Sequence, residues 1–312
     1  MEKIGENEIV KIATMYYEEG MTQSEIAKKR GVSRSLISKI LVDAKKDGIV
    51  EIVINSSSVY TAKLERELEE KYNLKNAIII DTFNLNKDEI KKIASQQAAL
   101  YLKKIALSYK TIGISWGNSL RGLVDSFPYI NHQDATVLPL IGGLSDDYFE
   151  IQSNQLSYDL ARKMRAKAKY LYSPALVSNQ LIREELSNND AIQSVLEAGK
   201  EVDLALIGIS SLDQESNMRR LGFLSEDDVE ELKELEAVGV VNSRFYNAEG
   251  TEVDSAINQN VIGLNLEDLK KIPTKMTLVY GDRKIDAIRV TLEASLVNVI
   301  VTTDTIAENL LS

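Results

Sequence analysis

From about residue 76 onward the chain repeats one pattern: a short apolar run without polar alternation, then a stretch with helical spacing. Ile78-Ile79-Ile80, Leu204-Ala205-Leu206-Ile207 and Val299-Ile300-Val301 offer apolar side chains to both sides of a strand. Strands buried on both faces belong to parallel sheets covered by helices. The runs predict strands at 77–80, 111–115, 135–140, 202–207, 276–279 and 299–302. Helical spacing predicts helices at 87–107, 117–126, 152–166, 190–198, 226–236, 284–294 and 305–310. Such alternation specifies an α/β fold with a doubly wound, mostly parallel sheet, and residues 73–312 are expected to form it.

The first fifty residues follow another rule. Ile9, Ile12, Ala13, Tyr16 and Tyr17 lie at helical spacing. Thr22 and Glu25 stand three apart, the spacing of a capping box, ahead of Ile26-Ala27. Gly31 supplies a tight turn, and Ser33 caps a further helix whose apolar stripe is Leu36, Ile37, Ile40 and Leu41. Two short helices around a glycine turn make a helix-turn-helix. The outer face of its second helix carries Arg34, Ser35, Ser38 and Lys39. Asp47-Gly48 then leads into Ile49-Val50-Glu51-Ile52-Val53-Ile54, read as the strand of a winged variant. The expected organisation is a DNA-binding domain at 1–54, a linker helix at 55–72, and the α/β domain. Leu64 and Leu68 on the linker fit either a solvated spacer or a dimer seam.

Charge supports the division. The chain of 312 residues has a net charge of −10, yet between Thr22 and Lys46 seven basic residues face only Glu25 and Asp43. Residues 1–54 balance, so the remainder carries the whole negative excess. A local basic face on an acidic chain fits a docked polyanion rather than general nucleic-acid coating. Cysteine is absent and His132 is the only histidine, which excludes disulfides, Cys-ligated metals and mechanisms needing two imidazoles. No cofactor or metal is expected. The first residues have neither a basic n-region nor an apolar h-region, and no apolar run approaches the roughly 18 residues of a membrane span. The expectation is a cytoplasmic protein without membrane contact.

Ligands of doubly wound sheets bind at the carboxyl ends of strands. Four such ends stand out. Trp116-Gly117-Asn118-Ser119 joins a strand to a helix start, where backbone N–H groups and two polar side chains suit an anion. Ile141-Gly142-Gly143 is followed by Gln152, and the glycines permit close backbone approach or serve as a plain loop. Gly208-Ile209-Ser210 precedes Arg219-Arg220. Tyr280-Gly281-Asp282-Arg283-Lys284 puts a lysine at a helix start, where the macrodipole disfavours a cation unless an anion binds there.

The runs YYEEGMTQSEIA and GVSRSLISKILVDAKKDGIV resemble the N-terminal domain of the SorC family of sugar-responsive transcriptional regulators. GISWGNSL, DLALIGISS, AVGVV, KIPTKMTLVYGDRKIDAI and VIVTTDTIAENLL resemble, in order, that family's effector domain, which is like sugar-phosphate isomerases in fold. The resemblance implies that Ser33 and Arg34 lie at operator DNA. Thr22, Gln23, Ser35, Ser38 and Lys39 complete the expected DNA-contacting set. It also implies that Gly117, Asn118, Ser119 and Lys284 hold an effector phosphate, with Gly142, Gly143, Gln152 and Arg219 or Arg220 around it. Ile141 and Val240 stand where relatives often carry polar or acidic residues, so the sugar recognised is expected to differ. A homo-oligomer, dimer or tetramer, is implied as well. Two other readings stay open at this level: an isomerase-like enzyme on sugar phosphates, and an oligomerising scaffold. If the helix-turn-helix reads DNA through Arg34, Arg34→Ala removes a base contact of about 1–3 kcal/mol. Operator affinity in a gel-shift titration then falls by tenfold or more, while the circular dichroism spectrum is unchanged.

Overall fold

The computed structural model describes residues 5–50, 58–144, 146–213, 216–281 and 284–312, with only the backbone at 146 and 147. The chain forms two compact units, Met1–Val59 and Tyr60–Ser312.

In the first unit three helices, α1 (Glu6–Tyr17), α2 (Gln23–Arg30) and α3 (Arg34–Lys46), enclose a small core. Ile12, Met15, Ile26, Ala27, Ile37, Ile40 and Leu41 fill it. Each boundary has a local cause. Thr22 and Glu25 form the reciprocal capping box, with the Glu25 N–H 3.3 Å from Thr22 Oγ1 and the Thr22 N–H 2.8 Å from Glu25 Oε2. Gly31 turns the chain at φ 69°, a left-handed value that suits glycine. Ser33 Oγ accepts the Leu36 N–H at 3.2 Å and starts α3. This is the expected helix-turn-helix. The expected wing strand lies, from residue 51, outside the described residues.

The second unit opens with α4 (Val59–Tyr72), β1 (Asn76–Ile80), α5 (Lys87–Ala106), β2 (Thr111–Ile114), α6 (Asn118–Ser126) and β3 (Thr136–Pro139). A 3₁₀ turn (Asp146–Ile151), α7 (Ser153–Met164), β4 (Lys167–Ala168), α8 (Gln180–Ser187), α9 (Asp190–Lys200), β5 (Leu204–Ile207) and β6 (Ile209–Ser210) follow. Next come α10 (Asn217–Arg220), α11 (Glu226–Glu234), β7 (Gly239–Val241), β8 (Arg244–Tyr246), α12 (Ala256–Gln259) and α13 (Leu266–Lys271). The chain closes with β9 (Thr274–Leu278), α14 (Ile285–Glu293), β10 (Val299–Thr303) and α15 (Asp304–Leu311).

Seven strands form one parallel sheet in the order β1-β10-β9-β5-β2-β3-β4. Leu102, Leu123 and Leu160 from α5, α6 and α7 cover one face. Leu68, Val195, Leu269, Ile288 and Leu310 from α4, α9, α13, α14 and α15 cover the other. The doubly wound architecture is as expected, and all six expected strands are present. The sequence did not reveal a second sheet, β6-β7-β8, which is antiparallel.

One expectation needs correction. Leu64 and Leu68 of α4 are neither a solvated spacer nor an exposed seam. They are buried in the core of their own unit, joined one turn later by Tyr72. Lys71 Nζ and Tyr72 Oη each donate to the Leu310 carbonyl at 2.7 Å, locking α4 against the C-terminal end of α15.

Arg244 shows what holds the small sheet in place. Its guanidinium is buried, donates to the carbonyls of Asn258, Val261 and Gly263, and lies 3.6 Å from Glu252. Burial lowers its pKa against the opposing pull of Glu252. Arg244→Ala takes this donor from three carbonyls and the opposing charge from Glu252, a loss of about 3–5 kcal/mol. Urea unfolding at neutral pH should show the midpoint falling accordingly.

Candidate effector site

Strand order places the site. After β2 the chain moves outward to β3; after β5 it moves the opposite way, to β9. The carboxyl ends of β2 and β5 therefore diverge, leaving the crevice of a topological switch point. A cavity of about 230 Å³ opens there, lined by residues following β2, β5 and β9 and by the turn between β7 and β8.

The turn is a type I′ reversal. Asn242 and Ser243 both adopt left-handed φ values, 51° and 59°. Asn242 accepts from Ser115 Oγ at 2.8 Å and donates to the carbonyls of Leu140 and Leu264 at 3.1 and 3.0 Å. Ser243 Oγ accepts the indole N–H of Trp116 at 2.9 Å. One turn thus ties together the segments that leave β2 and β3. An Asn-Ser pair between Val240-Val241 and Arg244-Phe245-Tyr246 is a hairpin signal, and sequence reasoning passed over it.

Gly117 has φ 127° and ψ 168°, a conformation that favours glycine, and it starts α6. Its N–H donates to the Ile151 carbonyl at 3.0 Å, so it is not available to a ligand as the sequence reading supposed. Asn118 and Ser119 occupy the first turn of α6, where N–H groups have no partner within the helix. The Asn118 side chain donates to Asn217 Oδ1 at 3.0 Å across the cavity mouth. Lys284 reaches in from the start of α14 and donates to the Ile209 carbonyl at 3.1 Å. Burial lowers the pKa of its ammonium, with Asp213 acting in the opposite sense. Arg220, on the four-residue α10, completes the polar lining and makes no ion pair among the described residues. Among the described residues no carboxylate lines this cavity.

Gly117, Asn118, Ser119, Arg220 and Lys284 therefore come together in one cavity. Four other candidates do not line it. Arg219 points to Glu226, with N···O distances of 2.8 and 3.2 Å. Gly142 packs against backbone, where a Cβ would stand 2.3 Å from the Pro174 carbonyl oxygen. Gly143 exchanges hydrogen bonds with Ser173 and Ala175, and Gln152 Oε1 lies beside it. The close approach that the glycine pair permits is an approach of the chain to itself.

On the helix-turn-helix, Arg34, Ser35 and Lys39 are exposed, while Gln23 and Ser38 are half-buried. Arg34 and Lys39 make no ion pair among the described residues, whereas the hydroxyls of Thr22 and Ser33 serve as caps.

Trp116 is the only tryptophan of the chain and borders the cavity. Ser243→Ala removes the acceptor of its buried indole N–H, a cost of about 1–3 kcal/mol. The variant is expected to unfold at lower urea, with altered tryptophan emission in the folded state.

Comparison with known proteins fits this layout. Residues 57–312 match the family described as "Putative sugar-binding domain", and residues 11–46 match "Sigma-70, region 4". The chain is 30% identical to the sorbitol operon regulator of Klebsiella pneumoniae over 305 residues, 97% of each protein. It is 27% identical to the deoxyribonucleoside regulator of Bacillus subtilis, over 94% of this chain and 93% of that one. The full-length structure of the Klebsiella regulator SorC superimposes with a TM-score of 0.76 at 29% identity, covering 99% of this chain and 100% of that one. A DeoR family regulator from Listeria monocytogenes reaches a TM-score of 0.76 at 43% identity, over 80% of this chain and 99% of that one. With a helix-turn-helix ahead of a sugar-binding domain along its whole length, the chain belongs to the SorC family of transcriptional regulators and is a regulator rather than an enzyme.

Proposed function

We propose that this protein controls a carbohydrate operon and that a small phosphorylated sugar or polyol, bound in the switch-point cavity, sets its affinity for operator DNA. The observation that carries the reading is the cavity's charge: Lys284 and Arg220 line it, the first turn of α6 opens into it, and no described carboxylate lines it, with Asp213 acting on Lys284 from the neighbouring opening. A phosphate monoester near pH 7 carries close to two negative charges and three acceptor oxygens. The N–H groups of Asn118 and Ser119, their side chains and the two cations supply matching donors. The relatives' names support the carbohydrate class, since one is a sorbitol operon regulator and another a deoxyribonucleoside regulator.

DNA is read by α3, with Arg34, Ser35, Ser38 and Lys39 toward the major groove, Ser33 at its N-terminus, and Thr22 and Gln23 at the start of α2. A single helix-turn-helix contacts one half-site, so the protein works as a dimer or tetramer in the cytoplasm. Effector and operator affinity are then linked through one coupling free energy.

Calorimetry and Trp116 emission test the effector together. Phosphorylated sugars should bind and their unphosphorylated partners should not, and Lys284→Ala should weaken binding about tenfold or more. The lowered lysine pKa gives a second check. Neutral lysine attracts a dianion less than ammonium does, so affinity should fall as pH rises through a value below the ordinary lysine range. Lys284→Ala should flatten that profile. Equal binding of both sugar forms, or an unchanged profile in the variant, contradicts the phosphate site.

A further inference from the structure

The open edge of the parallel sheet carries an unusual surface. Residues 162–169 hold Arg162, Lys163, Arg165, Lys167 and Lys169 with no acid among them, in a unit that bears the whole negative excess of the chain. Lys163 is engaged by the carbonyls of Asp125 and Phe127, and Arg162 lies 3.7 Å from Asp159. Arg165, Lys167 and Lys169 are exposed and make no ion pair among the described residues. The N–H groups of Lys167 and Lys169 bond inward, to Ala135 and Val137, and among the described residues no strand pairs with the other edge of β4. Immediately after it, Tyr170 and Tyr172 stack with centroids 5.9 Å apart, and Tyr172 is 79% exposed.

Lysines on an edge strand are a known guard against strand-to-strand pairing. They account for the charge but not for two stacked, exposed tyrosines. Tyrosine and arginine together are enriched at protein interfaces. Like charges would repel if β4 met β4 of another copy, so the occupant must be acidic. The chain carries such a surface itself. Asp227, Glu230 and Glu234 lie on one side of α11, are exposed, and make no ion pair among the described residues.

We infer that the basic, tyrosine-bearing edge at β4 docks on the acidic face of α11 of a second copy of this chain. In a two-fold pair each copy gives its edge and receives on its helix, so the contact is made twice. The inference rests on the oligomeric reading above and locates its interface.

Complementary charge reversal tests it on the full-length protein. One variant carries Lys167→Glu and Lys169→Glu; the other carries Asp227→Lys and Glu230→Lys. Each alone should raise the dissociation constant of the oligomer at least tenfold by analytical ultracentrifugation. An equimolar mixture should regain wild-type assembly, because both contacts of a mixed pair are again complementary. Tyr172→Ser, which changes no charge, should weaken assembly as well. Wild-type protein that is monomeric overturns both the oligomeric reading and the interface. An oligomer indifferent to the reversals, or a mixture that does not recover, overturns the interface alone. Loss of operator affinity at unchanged mass would assign the edge to DNA phosphates and overturn it too.

Discussion

The reversal of direction between β2 and β5 governs the rest of the second unit. A parallel sheet covered on both faces leaves no room for a ligand along its strands. Only where neighbouring strands send their connections opposite ways does a crevice form. The chain lines that crevice with what the geometry requires: Gly117 for a tight strand-to-helix turn, the first turn of α6 behind it, and the Asn242–Ser243 reversal as the opposing wall. The buried bonds Ser115–Asn242 and Trp116–Ser243 fix the distance between the walls. Site and fold are therefore not separable, since the hydrogen bonds that shape the cavity also close the core around Trp116, Val240 and Phe245.

Much of this was legible in the sequence, for identifiable reasons. Strands apolar on both faces belong to a sheet that helices cover on both sides, so Ile78–Ile80 on the edge strand β1 and Val299–Val301 on its neighbour β10 read correctly. Thr22, Glu25, Gly31 and Ser33 act through bonds within three or four residues, so local spacing was enough. What failed depended on distant partners. Arg219 and Arg220 are adjacent on a short helix, and only the position of Glu226 shows which one is taken up by an ion pair. The Gly142–Gly143 pair signalled a close approach, but the segment approached, Ser173–Ala175, lies thirty residues on. Leu64 and Leu68 made a thin seam until Tyr72 and the end of α15 closed over them. The strands β7 and β8 are three residues each, too short for periodicity to register.

The helix through which the chain enters the second unit is tied to that unit's far end. Lys71, Tyr72 and Arg289 all donate to the Leu310 carbonyl, and Arg289 also holds the Asn309 carbonyl. These are the orphan acceptors that any helix leaves at its C-terminus. Tyr60 adds a bond of 2.7 Å to Glu308, which pushes its phenol pKa up to about 12. At the other end of α15, Asp304 accepts from the Thr82 hydroxyl at 2.6 Å. Thr303 and Thr305 border a second opening that also includes Tyr280 and Lys284. Helix α15 is thus bonded at its start beside Lys284 and at its end to α4.

The described groups at the crevice are those of a binding site. Proton transfer needs a positioned base or acid within hydrogen-bond reach of the reacting atom. The only histidine, His132, bonds to the Tyr109 carbonyl and does not line the cavity. Asp203 sits at the opening end of β5, held by Lys110 and Thr111, rather than at the carboxyl end where ligands bind. What remains at the crevice is donors and cations. Such a set offers an anion hydrogen-bond donors and positive charge, with Asp213 bordering Lys284 from the neighbouring opening. Lys284 is half-buried, donates to the Ile209 carbonyl and feels the charge of Asp213, so part of the cost of taking its ammonium out of water is already offset. An anion bound there would shift a conformational equilibrium only by its differential affinity for the two states. A regulator needs that difference, and it needs the ligand to leave unchanged.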